Sequence, residues 1–147
     1  MIVFEAFHTV PIIALRDMDP YMFIEEDGSA FPIPGEDYHF VRLDLSLALI
    51  KNPGSTFFIQ LTEDTMAEEG LLPGDILIVD RAMEPRSGAK IIAYLEGSFT
   101  VRRLQFSEEG IILLAANPDF PPVEVEPDME FDIWGVVRDV LAQKGEG

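Results

Sequence analysis

The sequence predicts a mostly β protein: a compact β body with one short helix, preceded by an extended N-terminal arm. Three observations carry that expectation. Short segments rich in aromatic and β-branched residues recur along the chain, they are closely spaced, and glycine and proline turns punctuate them. The block from Ser55 to Phe106 is the centre of the prediction, because its closely spaced apolar segments leave room only for tight connections.

Taken in order, the arm spans residues 1–37 and the body residues 38–147. The runs IVFEAF, VPIIAL and YMFIEE read as extended segments, and Pro11 and Pro20 argue against helix and against central sheet positions. Such an arm is expected to pack on the body, or on a partner subunit, by edge pairing. Residues 26–37, EDGSAFPIPGED, form the linker candidate, since their glycines, prolines and acids favour an exposed extended loop. Asp44 is placed to cap a short helix, LSLALIK, that must stop before Pro53.

Ser55–Leu61 then reads as a strand, and Thr62–Gly70 as a turn with one helical turn that Gly70 terminates. Leu72-Pro73-Gly74-Asp75 marks a tight turn into a fully buried strand, Ile76–Val79. Strands at Lys90–Leu95 and Phe99–Phe106 flank a hairpin turn, Glu96-Gly97-Ser98. Ile111–Ala115, Val123–Val125 and Phe131–Leu141 complete a barrel or sandwich-like body. The last strand is expected to be exposed and free to pair across a dimer interface. Its alternation puts Ile133, Gly135, Val137 and Asp139 on one face and Trp134, Val136 and Arg138 on the other. No internal repeat or low-complexity segment interrupts the chain.

Composition narrows the function. A length of 147 residues suits one domain with a real core. The formal net charge of −17 repels phosphate backbones, which argues against direct nucleic-acid binding. No apolar run approaches the roughly eighteen residues of a membrane span, and no signal peptide is visible, so a cytoplasmic protein is expected. The absence of cysteine removes disulfides and thiolate metal sites. The histidines His8 and His39 stand in no HExxH or GxSxG context, so no metal, cofactor or histidine-based triad is expected.

The segments TEDTM, GDILIVD and FTVRRL, in that order, carry more information. Together with DYHFVRLDLSLALIKNPGSTFF, AANPDFPPVEV and FDIWGVV, they resemble UmuD-like factors and the self-cleaving peptidase domains of LexA-type repressors. The resemblance covers about residues 26–141. In that family a serine nucleophile sits in a segment like S-G-D-S-M, and a lysine base in a segment like F-T-V-K-K-L. Here Thr65 stands at the serine position and Arg102 at the lysine position. Threonine keeps a hydroxyl at the cost of an added methyl. Arginine stays protonated at any accessible pH and has no lone pair with which to act as a base.

The remaining lysines are Lys51, Lys90 and Lys144, and none has a sequence reason to reach Thr65. Arg102 is therefore expected to be a structural cation, bonding Thr65, nearby carbonyls or an acid such as Asp64. By the same resemblance the aligned cleavage point is the Ser29–Ala30 bond, just before Phe31-Pro32. The resemblance implies a catalytically degenerate homodimeric factor of the bacterial DNA-damage (SOS) response that binds a Y-family translesion polymerase and the RecA filament. The alternative it leaves is a slow serine-type autopeptidase that uses Thr65 to cut its own arm. A repressor fragment is disfavoured, since no helical periodicity precedes residue 26.

Overall fold

In the computed structural model the described residues are 7–18, 39–44 and 53–142. Among them, strands run at β1 (Phe7–Ala14), β2 (His39–Asp44), β3 (Thr56–Gln60), β4 (Ile76–Asp80) and β5 (Lys90–Leu95). The rest are β6 (Ser98–Ser107), β7 (Gly110–Leu114), β8 (Val123–Glu124) and β9 (Phe131–Leu141). They form one sheet in the order β2-β1-β3-β4-β9-β5-β6-β7-β8. The expectation of a mostly β body holds. The helix expected over residues 45–51, the linker at 26–37, the Ser29–Ala30 bond, Lys51 and Lys144 lie outside the described residues.

The N-terminal strand is not held by edge pairing alone. β1 adds in parallel to β3 over Ile12–Ala14, and β2 then covers its outer side antiparallel. Pro11 stands opposite Phe40 of β2, just before the residues of β1 that pair with β3. A 3-10 turn at Leu15–Asp17 ends the strand and buries Leu15.

β9 departs from the simple alternation expected of it. It lies between β4 and β5 in the sheet order, but the two ladders meet only at Val136: β5 pairs with Phe131–Val136 and β4 with Val136–Leu141. Its alternation slips. Ala93 pairs with Ile133 and Ile92 with Gly135, leaving Trp134 as an extra, bulged residue. Ile78 pairs with Asp139 and Val79 with Val137, leaving Arg138 as a second. Each bulge reverses the parity of the side chains. Trp134 and Val137 consequently share one core cluster with Leu77, Ile92 and Val101. Ile133 and Val136 share the other with Ile91, Ala93 and Leu104.

Arginines close both irregularities. Arg81 Nε donates to the Trp134 carbonyl at 2.8 Å, and its guanidinium lies 4.5 Å from the Trp134 ring centroid. Burial lowers the Arg81 pKa from its ordinary value, and Asp132 partly opposes that shift. At the second bulge, Arg138 Nη1 reaches the fully buried Asp80 at 3.6 Å.

The connections follow the turn chemistry of the sequence. Gly70 sits in the left-handed region at φ 86° and stops the 3-10 turn Ala67–Glu69. Gly74 (φ 101°) turns the chain into β4, with Leu72 N–H donating to the Asp75 carboxylate at 3.0 Å. Leu95 pairs with Ser98, so the β5–β6 hairpin is a two-residue turn with φ 47° at Glu96 and 94° at Gly97. Positive φ at both positions is a type I′ turn, and Asn-Gly is its preferred pair. Glu96→Asn is therefore expected to stabilise the protein by about 0.5–1 kcal/mol, seen as a raised urea midpoint with unchanged m-value.

Candidate functional site

The site forms where β6 outruns β7. Pairing between those strands begins only at Arg103–Leu114, so the backbone of Val101 lies at an open stretch of sheet edge. The segment around Thr65 fills it. Met66 is completely buried in the first core cluster, which fixes the residue before it against β6. Ala116 N–H donates to the Thr65 carbonyl at 2.8 Å, and Asn117 Nδ2 donates to the Asp64 carbonyl at 2.9 Å. Arg16 N–H donates to Thr62 Oγ1 at 3.1 Å, tying the segment after β1 to the same loop.

The open edge is satisfied by side chains. Val101 N–H donates to Glu63 Oε2 at 3.1 Å, and the Val101 carbonyl lies 3.2 Å from Thr65 Oγ1. Thr65 also donates to Glu63 Oε2 through a short hydrogen bond. Thr100 Oγ1 donates to that same carboxylate oxygen at 2.7 Å and accepts from Arg102 Nε at 3.2 Å. Thr65 and Arg102 are thereby joined through Glu63 and Thr100. The Thr65 hydroxyl has one proton and only acceptors around it, so it is a donor to Glu63 or to Val101.

Arg102 is buried, with 8% of its surface exposed, and its guanidinium stands 5.5 Å from the Phe120 ring centroid. Nη1 has no hydrogen-bond partner among the described residues. Burial lowers the Arg102 pKa from its ordinary value, and the nearby Glu63 charge partly opposes the shift. A guanidinium so lowered still carries its proton across the accessible pH range.

The expected contacts of Arg102 need correction in two respects. Its hydrogen bond goes to Thr100 and not to Thr65, and the acid near it is Glu63 and not Asp64. Sequence reasoning missed Glu63 altogether. Its signal was present in TEDTM, where Glu63 occupies the place of the glycine in S-G-D-S-M. The carboxylate was legible, but its partners on β6 were not.

Lys90 is directed elsewhere. It stands opposite Arg103 on the neighbouring strand, and cross-strand partners share a face, so Arg102 points to the other side. Its ammonium pairs with Glu69 at 3.7 Å, and Arg103 binds the same carboxylate and the Gly88 carbonyl. Among the described residues no group of three or more metal-capable side chains gathers, and no helix is long and apolar enough to cross a membrane.

Comparison with known proteins agrees with this architecture. Residues 23–138 match the model of the family described as peptidase S24-like. Protein SamA of Salmonella typhimurium is 41% identical over 116 residues, covering 79% of this chain and 80% of the relative. Protein ImpA of Escherichia coli is 34% identical over 131 residues, 85% of each chain. Protein MucA of Escherichia coli is 30% identical over 122 residues, covering 82% of this chain and 83% of the relative. With most of its length matched by the family model and by these relatives, the chain belongs to the peptidase S24-like family.

Proposed function

We propose that this protein is a UmuD-like regulatory factor of the bacterial DNA-damage (SOS) response whose autopeptidase site is degenerate. It acts in the cytoplasm as a homodimer, binding a Y-family translesion polymerase and engaging the RecA filament. Family membership supports the setting, and the acidic surface, with a net charge of −17, favours contacts with proteins over direct contacts with DNA.

One observation carries the degenerate reading. The residue at the base position is a buried arginine, and the single proton of the hydroxyl at the nucleophile position is already taken up by one of two acceptors, the Glu63 carboxylate or the Val101 carbonyl. Arg102 has no lone pair to offer. Glu63 lies within reach of the hydroxyl proton, which gives the autopeptidase reading its specific support. However, Glu63 already accepts from Thr100 and Val101, and its charge faces Arg102. Accepting a further proton would unbalance that arrangement.

Intact mass after prolonged incubation tests the proposal, at neutral and at alkaline pH and with an activated RecA filament. The expected result is one undivided mass under every condition. A fragment beginning at Ala30 would overturn the degenerate reading and identify Thr65 as a working nucleophile. Its base would then be Glu63, the group in contact, and not Lys90, which is engaged with Glu69.

A further inference from the structure

We propose that Glu63 is the residue that closes this site to catalysis by an amine base, so that restoring serine at 65 and lysine at 102 without removing Glu63 leaves it closed. The inference rests on the degenerate reading and names the group responsible for it.

The argument begins with what position 102 holds. Arg102 makes one hydrogen bond among its described contacts, to Thr100, and leaves Nη1 buried and unbonded. Its guanidinium is thus kept for its charge more than for its fork of donors. The charge it faces is Glu63, one hydroxyl away along the chain Arg102–Thr100–Glu63. Among the described residues, Glu63 is the charge whose field raises the Arg102 pKa against burial. Ile91 faces it across β5 and Phe120 lies under the guanidinium, while Lys90, Arg103 and Glu69 belong to the opposite face of the sheet.

An amine works as a general base only in its neutral form, and burial away from anions is what lowers its pKa enough. A carboxylate close by has the opposite effect. It favours the ammonium form by about one to three units, which lowers the fraction of neutral amine about tenfold or more. Glu63 also draws the hydroxyl proton of residue 65 toward itself, away from any base at position 102. The single carboxylate therefore disables both halves of an amine-dependent dyad. It also accounts for an arginine at 102, since a cation that never deprotonates is a lasting partner for a half-buried carboxylate.

The test compares the double variant T65S/R102K with two triple variants that add Glu63→Gly or Glu63→Gln. Glutamine keeps the size and the acceptor oxygen, so it separates charge from volume and maintains the fold where glycine leaves a void. The first readout is the pKa of the introduced amine, followed by NMR titration of its side-chain carbon. It is expected to fall by one unit or more in either triple variant relative to the double. Equal values in all three would overturn the inference. The second readout is intact mass at alkaline pH, expected to stay whole in the double variant and to divide in the triples. Cleavage by the double variant as fast as by the triples would also overturn it. If the amine pKa falls while every mass stays whole, Glu63 acts as proposed. The reading that confines degeneracy to this pocket would then fail instead.

Discussion

Asp80→Ala is expected to cost about 3 kcal/mol of stability, the scale seen when one partner of a buried ion pair is removed. Asp80 closes the GDILIVD segment and is wholly buried. Its Oδ1 accepts from Ser55 Oγ at 2.9 Å and from the Ala82 N–H at 2.8 Å, while Oδ2 faces Arg138 Nη1 at 3.6 Å. Alanine deletes the acceptor for all three and strands the Arg138 guanidinium, which is only 17% exposed. For a chain of this size the midpoint should fall by roughly 10 °C in a thermal melt. Asp80→Asn keeps an acceptor for the two hydrogen bonds and loses only the charge, so it should recover about half of the loss. A loss below about 1 kcal/mol for the alanine variant would mean that Asp80 is not the anchor of the second β9 bulge.

Gly135→Ala should destabilise by about 1–3 kcal/mol through overpacking, although alanine is otherwise the mildest replacement for glycine. The added Cβ would stand 2.6 Å from Val79 Cγ1, 3.5 Å from Arg81 Cγ and 3.6 Å from the Asp80 carbonyl. Val79 cannot easily yield, because it is fully buried in the first core cluster and β-branched side chains have little freedom at χ1. Gly135 stands beside the extra residue Trp134, where β9 passes from pairing with β5 to pairing with β4. Urea denaturation of a double-mutant cycle with Val79→Ala checks the cause. The pair should lose less than the sum of the single variants, because the second change removes the atom in the way. Gly54→Ala is the matched control, since nothing lies within 4 Å of its added Cβ, and should be close to neutral.

The sequence by itself determined the β character of the body and nearly every strand from Thr56 onward. Those elements are encoded locally. Lys90–Leu95 is a run rich in β-branched and aromatic residues, Glu96-Gly97 can adopt two positive φ values, and Gly74-Asp75 introduces a segment apolar on both faces. It also singled out Thr65 and Arg102, because both lie in ordered motifs that are visible without coordinates. The strand β2 was not legible, since HFVRLD offers only a brief alternation and lies between a linker and a helix-like run.

Strand order and the working of the site were decided only by tertiary structure. A strand's period states which side chains share a face but not which neighbours supply its hydrogen bonds. The chain-terminal β9 could thus lie between β4 and β5 in the sheet order without any local sign. Its two bulges, one in the ladder with β5 and one in the ladder with β4, depend on partners that no window of sequence contains. Glu63 is the same case at the scale of one residue. In sequence it is one acid among 27, with nothing to distinguish it from a solvated turn. The fold brings β6 across from Thr100 to Arg102, and only then does that carboxylate hold the hydroxyl of Thr65 and balance the charge of Arg102. Interactions between groups this far apart along the chain depend on where the sheet closes, and local chemistry cannot specify that.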